Sequence, residues 1–116
     1  MDKRSALETI ARFRTSLEAQ GIGVEKMVLY GSFARGTFRE GSDIDVVVLS
    51  EDFAGMGYWE RIDVLSEAIY EVFAPLEAVA MTPEEWARGD SFIVDYAKDG
   101  EVVYAAPDRV SEPEGA

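Results

Sequence analysis

The sequence predicts an α/β (α+β) fold, a small mixed β-sheet flanked by helices, and two patterns lead there. Short apolar runs at Lys26–Tyr30, Ile44–Leu49 and Leu76–Met81 have the length and residue types of strands and are set apart by turn-forming residues. Around them, apolar residues recur at helical spacing, first Ile10, Phe13 and Leu17, then Trp59, Ile62, Leu65, Ile69 and Val72. At 116 residues the chain fits one domain. A domain of this size buries roughly 65% of the surface its unfolded form exposes, enough for one core.

Taken in order, Ser5 and Glu8 have the spacing of a capping box and open a first helix that ends near Gly21 and Gly23. Lys26–Tyr30 is a short strand. Residues 31–41 form a Gly-rich connection with room for a short helix. Ile44–Leu49 is a strand whose valines imply burial on both faces, interrupted by Asp45. Residues 50–57 are a loop, and the Trp59 to Val72 stripe is the second long helix. Leu76–Met81 is apolar except for Glu77. Thr82, Pro83 and Glu85 form a strong helix start. Gly89 and Asp90 break that helix, and residues 91–98 form another, with Gly100 expected as its left-handed terminator. Residues 101–104 are expected as an edge strand. The domain is expected to span residues 1–106, with residues 107–116 an acidic, Pro-bearing tail that is disordered.

Composition removes several chemistries. The chain has no cysteine and no histidine. Disulfides, thiolate or imidazole metal sites and a Ser-His-Asp triad are therefore excluded. Eleven basic residues face 23 acidic ones, a net charge of −12. Such a surface repels phosphate backbones, so direct nucleic-acid binding is not expected, whereas divalent cations or a basic partner protein are favoured. No run approaches the ~20 apolar residues of a membrane span. The expectation is a soluble, cytoplasmic protein with no membrane association, and a homo-oligomer stays open.

The chemistry concentrates in Gly31-Ser32-Phe33-Ala34-Arg35-Gly36, followed by Gly41-Ser42-Asp43-Ile44-Asp45-Val46. A Gly-Ser turn after a strand can present N–H groups and a hydroxyl to phosphate oxygens, although alone it is more often only a turn. Asp43 and Asp45 lie two residues apart, which on a strand puts both side chains on one face with Cα atoms ~6.5–7 Å apart. Carboxylates so placed can converge on Mg²⁺, which prefers oxygen ligands and keeps substrate phosphate in its shell. The competing reading has Asp43 at the strand start and Asp45 solvated, but a carboxylate inside an apolar strand is costly unless partnered. Glu77 is a third candidate. It faces Asp45 if its strand lies beside Ile44–Leu49, or else it points to solvent. Trp59, Tyr70, Phe73 and Trp86 suit core or interface packing, Tyr30 suits packing at a strand end, and Arg61 and Lys98 suit solvated positions.

The joint motif, GSFARG, five residues, then SDIDVVV, resembles the nucleotidyltransferase superfamily that includes DNA polymerase β. Within it the chain is similar to the small MNT-type proteins. The likeness covers most of residues 5–81 and implies a polymerase β-like nucleotidyltransferase fold. It implies that Gly31 and Ser32, with Ser42 nearby, bind NTP phosphates, and that Arg35 contacts phosphate or buttresses the loop. It further implies that Asp43, Asp45 and Glu77 are catalytic and hold two Mg²⁺ ions, with ATP the substrate. The family commonly has Asp where Glu77 stands, and Glu reaches one methylene farther.

The resemblance also implies a function. Small MNT proteins pair with HEPN-domain proteins as antitoxins, in some pairs by adenylylating a tyrosine of the partner. The expectation is transfer of AMP from ATP to a hydroxyl of a HEPN-type partner. Two alternatives stand beside it. One is a binding module that neutralises its partner by occlusion. The other is a small-molecule nucleotidyltransferase of the aminoglycoside-modifying kind.

Overall fold

The computed structural model describes residues 1–107. The tail expected to be disordered, residues 107–116, therefore lies outside the described residues apart from Pro107. Helix α1 (Lys3–Ala19) leads into strand β1 (Lys26–Tyr30), a four-residue helix α2 (Ser32–Arg35) and strand β2 (Ile44–Leu49). Helix α3 (Tyr58–Val72), strand β3 (Leu76–Met81), helices α4 (Pro83–Arg88) and α5 (Phe92–Ala97) and strand β4 (Glu101–Ala105) follow. The sheet has four strands in the order β3-β2-β1-β4. Strands β1 and β2, and β1 and β4, are antiparallel, while β2 and β3 are parallel. The sheet is mixed, as the sequence implied, and β4 is the expected edge strand.

Strand alternation divides the core in two. Met27, Leu29, Ile44, Val46 and Val48 face α1 and α3 and pack with Ile10, Phe13, Leu17, Leu65 and Val72. Val28, Val47, Leu49 and Met81 face the opposite way and are covered by Val94 and Ala97 of α5, with Trp86 of α4 against them. Burial of β2 on both faces explains its valine content. No helix among the described residues is long and apolar enough to cross a membrane.

Several local expectations are corrected. The cap of α1 is Asp2, whose carboxylate accepts from the Ser5 N–H at 2.9 Å, so Ser5 lies inside the helix and forms no capping box. Asp caps as well as Ser, and at position 2 it starts the helix three residues earlier than a Ser5 cap would. Trp59 is 72% exposed and does not continue the buried stripe of α3. Tyr70 and Phe73 are likewise exposed, so of the four large aromatics only Trp86 packs against the core. Arg61 is not solvated. Its guanidinium donates to both Glu85 oxygens, at 2.7 and 3.1 Å, and to the Ala80 carbonyl, tying α3 to α4.

Gly100 is not the left-handed terminator of α5. Lys98 ends that helix in right-handed geometry, and Gly100 has no positive φ. It is glycine because a Cβ there would run into the Leu29 carbonyl oxygen and lie 3.0 Å from that of Ala97. The missing side chain lets the turn between α5 and β4 press onto β1.

Candidate active site

The register across the sheet builds the site. Tyr30 pairs with Asp45, and Asp45 pairs with Glu77. Tyr30, Asp45 and Glu77 therefore form one row across β1, β2 and β3, on the face that carries α4 and α5. The next row inward is Val28, Val47 and Val79, which is apolar and packed. The sheet thus ends in a polar row resting on an apolar floor. The parallel pairing of β2 and β3 brings the N-terminal ends of both strands together, which sets the two carboxylates side by side.

Asp45 is half-buried, while Asp43 and Glu77 are exposed. Loss of solvent raises the Asp45 pKa first, and the neighbouring charges of Glu77 and Asp43 raise it further. A hydrogen bond to Glu77 also favours the protonated form, and Arg35 opposes the shift. Asp43 thus acts on Asp45 through its charge, whereas Glu77 is its direct cross-strand neighbour. Tyr30, read from sequence as packing, is pushed up by burial and by the charges of Asp45 and Glu77, so its phenol stays protonated.

The Gly31 turn completes the wall. Gly31 caps α2 with φ 75° and ψ −154°, a combination essentially confined to glycine. A Cβ there would overlap the Asp45 carboxylate oxygen and sit 3.1 Å from its Cγ. The resemblance gave this glycine to phosphate binding, and the first group its missing side chain admits is Asp45 itself. Ser32 begins α2, whose first N–H groups have no partner within the helix. Gly36 ends α2 in left-handed geometry. The Ser42 hydroxyl accepts from the Arg39 N–H at 2.8 Å, which closes the turn before β2.

All seven residues singled out from sequence line one open cleft of about 490 Å³: Gly31, Ser32, Arg35, Ser42, Asp43, Asp45 and Glu77. Tyr30, Phe92, Ile93 and Tyr96 complete the lining, and sequence reasoning gave none of them a site role. Their signal was present but weak. Val94 and Ala97 mark the buried face of α5, which leaves Phe92 and Tyr96, one turn apart, as aromatics on its outer side.

Among the described residues no three Asp or Glu side chains stand close enough to hold a metal ion together. Asp45 and Glu77 are the close pair. The donor chemistry nonetheless fits Mg²⁺: every candidate is a carboxylate oxygen, and adjacent acids with one half-buried repel unless a proton or a cation lies between them.

A family model for the nucleotidyltransferase domain matches residues 10–98. The chain belongs to this family and is a nucleotidyltransferase. Among solved structures it is similar to a candidate nucleotidyltransferase from Sulfolobus solfataricus, at 18% identity and a TM-score of 0.68, over 89% of this chain and 83% of the other. It is also similar to a chain in a toxin–antitoxin structure with AMP-PNP, at 20% identity and 0.55, over 81% and 72%. A third likeness is to a chain in the complex of tri-AMPylated Shewanella oneidensis HEPN toxin with MNT antitoxin, at 16% identity and 0.53, over 90% and 73%. At these identities the likeness is one of fold. No curated protein sequence matches the chain.

Proposed function

We propose that the protein transfers AMP from ATP, with Mg²⁺, to a hydroxyl group of a HEPN-type partner protein, as the antitoxin of a toxin–antitoxin pair. The observation that carries the chemistry is the Asp45–Glu77 pair on adjoining parallel strands, beside the Gly31-Ser32 turn. The pairing with a HEPN protein is supported by the likeness to chains from toxin–antitoxin complexes, one with AMP-PNP and one with an AMPylated HEPN toxin. A net charge of −12 suits a basic partner.

In this reading the unpaired N–H groups at the start of α2 and the Ser32 hydroxyl hold the phosphates. Asp43, Asp45 and Glu77 are the residues that would hold Mg²⁺, which would supply neutralisation of phosphate charge and a more acidic acceptor hydroxyl. The acceptor oxygen bonds to the α-phosphorus as the bond to the bridging oxygen breaks, and pyrophosphate leaves with the electron pair. The acceptor proton passes to a carboxylate, since the chain has no histidine. Glu77 suits that role because it is exposed to an incoming acceptor while Asp45 is held in the sheet.

The test is incubation with Mg²⁺, the HEPN-type protein encoded beside this one, and ATP labelled at the α- or the γ-phosphate. Transfer of AMP labels the partner from the α-position only, and Asp45→Asn loses the label. A tight complex without label would replace this reading with neutralisation by occlusion.

A further inference from the structure

The cleft has two walls of opposite chemistry. One carries Gly31, Ser32, Arg35, Ser42 and the carboxylates; the other is Phe92, Ile93 and Tyr96 of α5, with no charged group. Phe92 and Tyr96 are 64% and 63% exposed, yet their rings touch, with centroids 5.6 Å apart and planes tilted by 48°. Their helix is held firmly. Ser91 caps it by accepting from the Ile93 N–H, Val94 and Ala97 are buried on the sheet, and Gly100 lets the following turn press onto β1. The rings therefore stand on a fixed base, facing a cavity that already has a place for phosphates.

A nucleotide has the same division, a polyanion at one end and a flat aromatic base at the other. We infer that Phe92 and Tyr96 form the nucleobase subsite, where the base of the NTP stacks on the aromatic wall while its phosphates lie at Gly31-Ser32. This rests on the nucleotidyltransferase reading of the cleft and adds the part that recognises the base. Stacking on rings needs only a π-face, so the subsite favours large bases without selecting a hydrogen-bonding pattern. Purine nucleotides bind more tightly than pyrimidine nucleotides, and ATP and GTP bind within a few-fold of each other.

The experiment measures dissociation constants by calorimetry, in Mg²⁺, for ATP, GTP, CTP and inorganic tripolyphosphate. It uses the whole protein and the variants Phe92→Ala, Tyr96→Ala and Tyr96→Phe. Each alanine variant is expected to weaken ATP about tenfold, from the usual worth of base–aromatic stacking. Tripolyphosphate affinity stays unchanged, and Tyr96→Phe keeps the affinity for ATP. Unchanged ATP affinity in both alanine variants overturns the subsite, as does an equal loss for ATP and tripolyphosphate. An unmodified protein that binds neither ATP nor tripolyphosphate fails at the phosphate wall, so the nucleotidyltransferase reading falls first and the subsite with it.

Discussion

Gly31 lacks a side chain because the Asp45 carboxylate fills the space one would take. Gly31→Ala meets two obstacles at once, the glycine-only backbone geometry and the overlap with Asp45, of which the backbone alone costs about 1–3 kcal/mol. The side chain displaced is the one the proposed chemistry needs. The expected outcome is a folded protein of lower melting temperature whose AMP transfer falls at least as far as in Asp45→Asn. For Asp45→Asn itself, kcat should fall by about a hundredfold or more, the scale for removing a group that stabilises transition-state charge. Circular dichroism should show the fold retained. Full transfer by either variant would remove Asp45 from the mechanism.

At the scale of elements, the row Tyr30–Asp45–Glu77 depends on β3 lying parallel to β2 in the observed register. The Arg61–Glu85 pair supports that arrangement by fixing α4, the helix after β3, to α3, the helix before it. The Arg61 hydrogen bonds are the main reason the Glu85 pKa is held down to about 2, from its ordinary 4.5. A carboxylate whose pKa is lowered by folding adds stability that is present above 4.5 and lost as pH falls toward 2. Glu85→Gln should therefore cost about 1 kcal/mol at pH 7, discounted because a third of the side chain is exposed, and the difference should shrink at pH 3. Thermal melts at both pH values check this, and an equal difference at both would mean that the ion pair contributes nothing. Gly100→Ala should lower the melting temperature more than a surface substitution, because its Cβ meets the Leu29 carbonyl.

Much of this was legible in the sequence because local rules and tertiary structure agree. Helical spacing at Ile10, Phe13 and Leu17, the double burial of β2 and the Thr82-Glu85 capping box all appear as read. Asp45, a lone acid in an apolar strand, and the motif pointed to one site, whereas Glu77 stayed open between that site and solvent until the β2–β3 register set it beside Asp45 in the same cleft. The failures share a cause: each needed knowledge of what lies across space. Gly100 looked like a helix terminator because the carbonyl it faces, that of Leu29, belongs to a strand far away in sequence. Arg61 looked solvated because its partner Glu85 is on another helix. Trp59 has the spacing of a buried residue but is exposed, its ring edge-on against that of Tyr58.

Over the whole molecule, 23 acidic against 11 basic residues give a field that draws cations and basic surfaces and opposes a free nucleotide. A polyanionic substrate can enter such a cleft readily only when accompanied by positive charge, which links nucleotide binding to the divalent cation. Binding to a basic partner should weaken as salt rises, and association rates at two ionic strengths measure that. The most direct measurement is the dissociation constant of ATP with and without Mg²⁺, for the unmodified protein and for Asp43→Asn/Asp45→Asn. The expected result is strong tightening by Mg²⁺ in the unmodified protein and none in the double variant. The same Mg²⁺ effect in both would mean that the carboxylate row has no part in holding the metal-bound nucleotide, and the assignment of the site would fail.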